Sequence, residues 1–561
     1  MAGDSAKIVR RLLEARGIAD VDAFLNPSIS GLEPPEGLPG IVQAADIALS
    51  AVASRRRIVV FGDYDCDGIC ATAILVKTLR AIAGDDSLVV PFLPERLSEG
   101  YGMSDASVAR CLAENGDAGL VITVDNGINS LKQIAALKEK GVEVVVTDHH
   151  LASRAEGGSE GDFLLPPADV VVNPKVASPD SFSGLCGAGV AVLLANRITT
   201  EARRRGLYGG PGIAGPLLVL AGLATVTDIM PLLGQNRIFV SEALSRFRTL
   251  APVGLKELYL RAARSGSEKM TSRDFGFILG PRINAAGRLH SGMEALKLVL
   301  SGDREEAREF ARVVDGYNAE RKAIEQAMTN EAMGKVAADA PAQVIDLPSG
   351  HPGVAGIVAA RVLECMGGSV PVCIIANGHG SARSPEGVNI RDAFVACDAF
   401  LEKYGGHAAA CGFAVKEGKV DAFRDALCEY CRGLGATAEK PSSGLPELWL
   451  SQEEATLELA DDVARMEPFG EGNQEPVFGM RAVALSDVRH LGQDGRHLSF
   501  YVGGRSGGAR MRGVWWNGGE RIEELRSAGS APHDIAFNIT VSDYGGRHAE
   551  LKVVDADWQA K

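Results

Sequence analysis

In the first half of the chain, short apolar runs alternate with stretches of helical periodicity. Apolar runs rich in valine and isoleucine cover 57–61, 88–92, 118–124, 142–147 and 170–172, and helical patterns cover 71–82 and 130–140. Apolar runs of about 4–8 residues separated by helices are typical of parallel strands that are buried on both faces. The pattern therefore predicts an α/β domain with a doubly wound parallel sheet, preceded by a helical segment at 1–50.

The pattern changes twice farther along the chain. Residues 304–338 are free of proline and read as one helix, which at ~1.5 Å per residue would span about 50 Å. A second α/β region follows, with strands near 342–346 and 370–375. After a proline- and serine-rich linker at 441–446, short strands separated by glycine turns predict a compact β-barrel with one helix. These strands are predicted at 497–502, 510–516, 535–541 and 550–554, and the helix at 520–526.

Composition and charge narrow the class of protein. Apolar residues make up 46% of the chain and charged residues 23%, as in ordinary globular proteins. A net charge of −14 excludes a generally polybasic nucleic-acid binder but leaves room for a local basic groove. No apolar run reaches the roughly 18 residues of a membrane span, and the N-terminus lacks the apolar core of a signal peptide, so a cytoplasmic protein is expected. The Cys428–Cys431 pair is better explained as two thiols on one helix than as half of a zinc site.

Acidic residues collect where apolar runs end. Four runs are followed by Asp63, Asp65 and Asp67, by Asp125, by Asp148 with His149 and His150, and by Asp228. Any one of these sites could be an ordinary turn, but four apparent strand ends in one domain favour a ligand site, because open α/β sheets bind ligands at the carboxyl ends of their strands. Clustered carboxylates need a cation, and the mixture of aspartate and histidine favours Mn²⁺ over Mg²⁺. Carboxylate clusters of this kind commonly hold two metal ions.

Four segments that contain these residues resemble the motifs of the DHH phosphoesterase superfamily. They read VVFGDYDCDG, VITVDNG, VVTDHH and ATVTDIMPL. Farther segments resemble the bacterial branch of that superfamily whose members degrade single strands from the 5′ end: PERLSEGYG (94–102), VNPK (172–175), GPRINAAGRL (280–289), HPGVAGIVAARV (351–362), SARS (381–384), GGHAAACG (405–412) and EPFGEGNQEP (467–476). The resemblance runs from about residue 11 to the C-terminus.

The resemblance implies a domain order and a metal site. The domains would be an N-terminal helical segment (1–50), a DHH catalytic domain (51–290), a long connecting helix (291–338), a DHHA1-like substrate-binding domain (339–437) and an OB-fold domain (446–561). The metal ligands would be Asp63, Asp65, Asp67, Asp125, His149 and Asp228. Other branches carry a histidine where this chain has Phe61, and Asp63 would take over that role.

The same resemblance implies the catalytic roles. Asp125 would bridge two metal ions, Mn²⁺ or Mg²⁺, His150 would lie beside the scissile phosphate, and Asp148 would orient a ligand histidine.

The resemblance also implies substrate-binding residues in four further segments. Arg282, Asn284 and Arg288 are placed in a loop before the long helix and would contact DNA near the metals, although solvated surface arginines are the alternative. A 5′-phosphate pocket would contain Arg96, Ser381, Arg383, Gly405, Gly406 and His407. For the segment 405–412, a tight turn that leads into a helix of small residues is the alternative.

The terminal barrel is a candidate groove for a single strand. Six arginines (481, 489, 496, 505, 510 and 512) alternate with Phe500, Tyr501, Trp515 and Trp516. Bases stack on aromatic side chains while cations follow the phosphates. Strand alternation places half of these aromatic residues in the core, so Trp515 and Trp516 cannot both stack on bases.

The sequence thus predicts a single-stranded-DNA-specific 5′→3′ exonuclease that releases 5′-mononucleotides by two-metal hydrolysis and acts in recombination and repair. It would be a monomer, with a helicase and a single-strand-binding protein as possible partners. One alternative is a phosphodiesterase for short oligonucleotides or cyclic dinucleotides, which the extra barrel argues against. The other is a non-catalytic replication scaffold, which the complete set of carboxylates argues against.

Overall fold

A computed structural model describes most of the chain as two compact units. The described residues are 4–100, 102–154, 162–177, 182–210, 214–263, 269–434, 446–492, 494–503, 510–527, 532–543 and 546–556. The larger unit consists of Glu33–Asp228 and Ala243–Pro441, and the smaller unit of Met1–Leu32, Ile229–Glu242 and Ser442–Lys561. Residues 441–445 of the predicted linker and Arg505 lie outside the described residues.

The first sheet of the larger unit is parallel throughout. Its strands are β1 (Arg57–Phe61), β2 (Val89–Phe92), β3 (Ala118–Val124), β4 (Glu143–Thr147) and β5 (Val170–Val172), in the order β2-β1-β3-β4-β5. The register pairs Val60 with Pro91 of β2 and with Ile122 of β3, so the carboxyl ends of the central strands lie at one edge. The predicted parallel sheet is confirmed.

The α-helices lie both between and outside the strands of the sheets. Numbered in chain order they are α1 (Asp4–Ala15), α2 (Val21–Leu25), α3 (Ile41–Ala53), α4 (Cys66–Ala83), α5 (Asp105–Glu114), α6 (Leu131–Glu139), α7 (Pro174–Ala177), α8 (Gly187–Arg204), α9 (Ala214–Thr227), α10 (Gly234–Leu250), α11 (Val253–Ala262), α12 (Gly280–Leu289), α13 (Met293–Leu300), α14 (Arg304–Met333), α15 (Pro352–Cys365), α16 (Ile390–Ala396), α17 (Val420–Gly433), α18 (Leu457–Ala464) and α19 (Ile522–Ser527). Within the described ranges, every helix falls short of the length or the apolar character that crossing a membrane needs.

Two helices lie where the sequence predicted a strand and a loop. Asp228 follows helix α9 and not a strand. The run before it is apolar on all sides, so its hydrophobic pattern cannot distinguish a buried helix from a buried strand, and the strand was predicted wrongly. Arg282, Asn284 and Arg288 lie on α12 and not in a loop. The glycines and proline of that segment resemble a loop, but proline is tolerated in the first turn of a helix. Gly287 allows close packing, since a Cβ there would lie 2.4 Å from the Tyr64 carbonyl oxygen.

The second sheet of the larger unit is mixed. It contains β6 (Gln343–Leu347), β7 (Val372–Ala376), β8 (His379–Arg383), β9 (Leu401–His407) and β10 (Ala410–Val415), in the order β6-β7-β8-β10-β9. Strands β6 and β7 are parallel, and the other pairs are antiparallel. Residues 405–412 therefore form the β9–β10 hairpin, and the alternative of a turn into a helix is wrong.

The long helix α14 is 30 residues long and ends at Met333, five residues before the predicted end at 338.

The smaller unit is built on a seven-stranded sheet. Its strands are β11 (Leu448–Trp449), β12 (Phe478–Val483), β13 (Leu485–Leu491), β14 (His497–Val502), β15 (Met511–Trp515), β16 (His533–Ser542) and β17 (His548–Ala556), in the order β11-β12-β16-β17-β15-β14-β13. Helix α1 belongs to the same core, where its Leu12 is buried with Leu459 of α18. Arg16 donates to Glu447 at 2.7 Å, so the N-terminal segment is an integral part of this unit.

Candidate metal centre and nucleic-acid interface

The loop after β1 fixes two aspartates through backbone donors. Asp63 is fully buried, and its Oδ1 accepts a hydrogen bond from the Tyr64 N–H at 2.8 Å. Asp65 is the N-cap of α4, because its Oδ1 accepts from the N–H groups of Asp67 and Gly68 at 3.0 Å each. The second oxygen of each carboxylate is left for another partner.

Asp67 is held by the start of α8. Its two oxygens accept hydrogen bonds from the N–H groups of Gly187 and Ala188 at 2.7 Å each, where the helix dipole favours a negative charge. A Cβ at Gly187 would lie 2.6 Å from the Cβ of Asp125, so only glycine allows this approach. This role was not predicted from the sequence, although the small residues Gly187, Ala188 and Gly189 were a signal of close packing.

The other acidic motifs meet the loop around His149. Its Nε2 lies 3.1 Å from Asp125 Oδ1, 3.6 Å from Asp228 Oδ2 and 3.7 Å from Asp67 Oδ2. Asp125 has a positive φ of 61°, which aspartate tolerates better than most residues. Asp228 thus lies at the end of helix α9 and Asp67 in the first turn of α4, whereas Asp125 and His149 follow strands.

All six expected ligands belong to groups that are compact enough to bind a metal ion. In each group the candidate ligand atoms lie within 4.8 Å of one another, and the groups are Asp63 with Asp65 and Asp125, Asp67 with His149 and Asp228, and Asp125 with His149 and His150. Among the described residues, Asp63 Oδ2, Asp125 Oδ1 and both ring nitrogens of His149 are buried without a hydrogen-bond partner. Buried polar atoms without partners are rare, and here they fit bound cations. Asp125 and His149 each belong to two of the groups, and of these two only the carboxylate of Asp125 offers two oxygen atoms for two metal ions.

The electrostatics of the site also require a cation. Burial, and then repulsion by Asp65, raise the pKa of Asp63 to about 8. Burial, and then repulsion by Asp67, raise the pKa of Asp228 to about 8. Burial also lowers the pKa of His149 to about 4, which keeps its ring neutral and able to bind a metal. A divalent cation would return these carboxylates to the charged form.

Asp148 organises the second histidine. Its Oδ1 accepts hydrogen bonds from the N–H groups of His149 (2.7 Å) and His150 (3.0 Å), and lies 2.8 Å from the His150 Nδ1. Its Oδ2 accepts from the Ile128 N–H at 2.9 Å. Burial opposes a charge on His150, but the hydrogen bond and the charge of Asp148 outweigh it and raise the pKa of His150 to about 9. The protonated ring would be available to a phosphate.

We expect Asp148→Asn to lower kcat by about 10–100-fold, because an amide cannot hold the protonated His150 ring as a carboxylate does. Metal binding should persist, so Mn²⁺ should still raise the Tm of the variant as it raises that of the parent. Steady-state kinetics and thermal melts check both expectations. Asp105→Asn, at an exposed aspartate that binds Gln133, is the matched control. An unchanged kcat would reject the positioning role.

Three of the predicted 5′-phosphate residues, Arg96, Ser381 and Gly405, line one cavity beside the acidic loop, whereas Arg383, Gly406 and His407 are not among its lining residues. The cavity has a volume of about 340 Å³ and is lined by Tyr64, Arg96, Leu97, Pro352, Gly353, His379, Gly380, Ser381, Lys403, Tyr404, Gly405, Gly412 and Phe413. Arg96 lies over the Tyr64 ring, 5.3 Å from its centroid. Arg383 lies beside Ser381, since a Cβ on Gly356 would meet both side chains at 3.2 and 3.5 Å. Burial, and then the positive charge of Arg96, lower the pKa of Arg383.

The remaining pocket residues lie on β9. Gly405 is beside Ser381 through Gly412, and Gly406 has a φ of 139° that lets the hairpin twist. His407 is exposed at the end of β9. Tyr64 was not singled out from the sequence, although its place between Asp63 and Asp65 was a signal.

The three polar residues of α12 have different partners. Arg282 donates to Asp315 at 2.9 Å and to the Ile278 carbonyl at 2.8 Å, so the protein itself occupies its guanidinium group. The Asn284 Oδ1 accepts from the Cys66 N–H at 2.7 Å and thereby holds the acidic loop. Arg288 donates to the carbonyl of Gly353, a residue that lines the cavity, at 3.4 Å, and burial, then repulsion by Arg96, lower its pKa to about 10.

The smaller unit has a cationic cavity of its own, with a volume of about 1030 Å³. Its lining includes Arg489, Tyr501, Arg510 and Arg512 together with Glu453, and Arg512 is paired with Glu550 at 3.3 Å. Arg510 stacks over the Tyr501 ring at 4.6 Å from the centroid, and it also contacts Asp487 at 2.5 Å.

The aromatic residues of this unit alternate as expected. Trp515 is buried and Trp516 is exposed, and Phe500 is buried in the core while Tyr501 lines the cavity.

Comparisons with known proteins agree with this geometry. Residues 57–214 match the DHH family N-terminal domain, 339–433 the DHHA1 domain and 447–555 the RecJ OB domain. The chain is 32% identical to the single-stranded-DNA-specific exonuclease RecJ of Dickeya dadantii, over 98% of this chain and 96% of that protein. It is 37% identical to RecJ of Thermus thermophilus, over 84% of this chain and 66% of that protein.

A solved structure shows the same architecture. The crystal structure of RecJ in complex with Mn²⁺ from Thermus thermophilus has a TM-score of 0.82 at 32% identity, and the match covers 100% of this chain and 76% of that one. A second structure of the same protein contains Mg²⁺. The predicted combination of a DHH domain, a DHHA1 domain and an OB fold is thereby confirmed, and the chain belongs to the RecJ family within the DHH superfamily.

Proposed function

We propose that this chain is a metal-dependent exonuclease that hydrolyses single-stranded DNA in the 5′→3′ direction and releases 5′-mononucleotides. The observation that carries the proposal is the convergence of six ligand residues, several with unpartnered buried atoms, next to a cationic cavity. The cellular role would be the resection of 5′ ends in recombination and repair. Cooperation with a helicase and a single-strand-binding protein, action as a monomer and a cytoplasmic location stay predictions.

The metal ions would be Mn²⁺ or Mg²⁺, held by Asp63, Asp65, Asp67, Asp125, His149 and Asp228. Two such ions activate water and neutralise charge on a phosphodiester during in-line displacement. The chain's own contribution is to place the phosphate. His150, oriented by Asp148, would donate a hydrogen bond to the scissile phosphate, and the cavity would bind the terminal one.

The cavity explains the proposed polarity. A terminal 5′-phosphate carries close to two negative charges, about one more than an internal diester. The cations Arg96, Arg288 and Arg383 would therefore favour a strand end over the middle of a strand. A strand held there would present its first internucleotide bond to the metals, which sets a step of one nucleotide.

The competing functions predict other substrates. A cyclic dinucleotide has no terminal phosphate for the cavity, and a short oligonucleotide does not need the second cationic cavity in the smaller unit. A scaffold without catalysis would not need the unpartnered ligand atoms.

The direct test uses strands of 3 to 60 nucleotides that carry a label at either end, with and without Mn²⁺. The proposal expects labelled mononucleotide at once from the 5′-labelled strand, and a shrinking ladder from the 3′-labelled strand. A ladder from the 5′-labelled strand would show the opposite polarity. No cleavage with bound metal would favour a scaffold.

The smaller unit should contribute binding to long strands. Arg489 lines its cavity and forms no ion pair with any residue that the structure describes. We expect Arg489→Ala to lower the slope of log Kd against log salt by ~0.7 on a 40-nucleotide strand, the value for one lost phosphate contact. Kinetics on a trinucleotide should not change.

Arg496→Ala is the control for this prediction, because Arg496 is paired with Asp494 at 2.5 Å and lies outside the cavity. Equal salt slopes for Arg489→Ala and the parent would reject the cavity as a strand-binding surface. Single substitutions are preferable to removing 446–561, since that deletion would also expose the apolar face of α1.

A further inference from the structure

The cavity continues past the residues that would bind a terminal phosphate. Cross-strand register places Arg383, Ala410 and His407 in one row, Ser381, Gly412 and Gly405 in the next, and His379, Ala414 and Lys403 in a third. Directly paired residues of antiparallel strands point to the same face, so the three rows lie side by side on one face of the sheet. Ser381, His379 and Lys403 all line the cavity.

Two glycines of the cavity wall, Gly405 and Gly412, are not required by the packing of neighbouring residues. A Cβ on Gly405 or Gly412 would meet no atom within 4 Å. Other glycines of these strands are required by their neighbours, since a Cβ on Gly380 would lie 2.2 Å from the Phe413 ring and one on Gly406 would lie 2.4 Å from the Ala410 carbonyl oxygen. Gly405 and Gly412 thus leave open space in which a ligand can approach the backbone.

The third row supplies positive charge without a protein partner. Among the described residues, the side chains of Lys403 and His379 form no hydrogen bond or ion pair. No carboxylate is among the described residues that line the cavity. An ammonium group and an imidazole that face an acid-free cavity form an anion site.

The direction along the strands orders the three rows, with the Ser381 row between the Arg383 row and the Lys403 row. Two residues along a strand span ~6.7 Å. The Lys403 row therefore lies one such step beyond the Ser381 row, on the side away from the Arg383 row. A monophosphate bound at Ser381 would leave this row empty, whereas two further phosphates would extend into it.

We propose that the cavity accepts strands whose 5′ end carries a triphosphate, with the two outer phosphates beside Lys403 and His379. The inference rests on the proposed 5′→3′ exonuclease function and names a further substrate class for that site. Water would add to the first internucleotide phosphorus, the P–O3′ bond would break and the departing 3′ oxygen would take the proton. The first product would be a nucleoside 5′-triphosphate, and the shortened strand would carry an ordinary 5′-monophosphate.

The test compares DNA strands of one sequence with a 5′-triphosphate, a 5′-monophosphate or a 5′-hydroxyl, using the full-length chain with Mn²⁺. We expect the triphosphate strand to be cleaved with a kcat/KM at least equal to that of the monophosphate strand, and chromatography to show one nucleoside triphosphate per strand. Lys403→Met should lower kcat/KM about tenfold on the triphosphate strand and less than twofold on the monophosphate strand. Lys322→Met, at an exposed lysine of α14 outside the cavity, should change neither value.

Two results would overturn the inference. One is a triphosphate strand that is cleaved no faster than the hydroxyl strand. The other is an equal decrease in the kcat/KM of Lys403→Met on the triphosphate and monophosphate strands, which would make Lys403 part of the monophosphate pocket. Failure of the proposed exonuclease function would look different, because the monophosphate strand would then also stay intact.

Discussion

Replacing Asp125 should abolish cleavage while the fold persists. Asp125 belongs to two of the three candidate ligand groups, and its Oδ1 is buried without a hydrogen-bond partner among the described residues. Losing one electrostatic donor from an active site typically costs about 10²–10³ in kcat, and a ligand shared by two metals should cost more, over about a thousandfold. Both Asp125→Ala and Asp125→Asn should show this loss.

The two variants separate chemistry from folding. At a φ of 61°, asparagine fits the left-handed backbone, whereas alanine adds about 1–2 kcal/mol of strain. Asp125→Asn should therefore melt near the parent Tm without metal but show a smaller rise when Mn²⁺ is added. Asp117→Asn, at an exposed aspartate paired with Arg57, should change neither kcat nor the metal-dependent rise. Near-normal turnover of Asp125→Asn with unchanged metal content would sink the shared-ligand assignment.

The acidic centre could be predicted because it depends on local pattern. Asp63, Asp65 and Asp67 directly follow an apolar run, and parallel strands bring their carboxyl ends to one edge. Asp125 and His149 follow from the same rule. Asp228 was placed correctly near the metals but for the wrong local reason, because a short run that is buried on every side looks the same in a helix and in a strand.

Long-range pairing could not be read from the sequence. Helix α1 shows an apolar stripe, but nothing in that stripe specifies α18 as its partner. Arg16 reaches Glu447 across 431 positions of sequence. Arg282 likewise looked available for DNA until its contact with Asp315 of α14 was visible. Such contacts depend on tertiary structure and cannot be predicted from the local sequence pattern.

The second large effect is expected at the strand end. The parent enzyme should prefer a 5′-phosphate over a 5′-hydroxyl, and Arg383→Ala should erase that preference. Arg383 lies beside Ser381, and in the described part of the chain its guanidinium hydrogen bonds only to the adjacent Ala382 carbonyl. Because no acid neutralises it, its charge is available to an anion. A lost charge-assisted contact should cost about 1.5–3 kcal/mol, roughly ten- to a hundredfold in kcat/KM.

The measurement compares kcat/KM on strands with a 5′-phosphate and with a 5′-hydroxyl, for the parent and for each variant. The ratio between the two strand ends identifies the pocket, whereas the activity on one strand alone does not. Arg383→Ala should have a lower kcat/KM on the phosphate strand alone. It should keep its metal-dependent activity on the hydroxyl strand, since no metal ligand has been changed. Arg383→Lys retains a point charge without the planar fork and should keep part of the preference. Arg432→Ala, at an exposed arginine of α17, should keep all of it. If the ratio between the two ends is near one in the parent, or unchanged in Arg383→Ala, Arg383 supports the sheet and the terminal phosphate binds elsewhere.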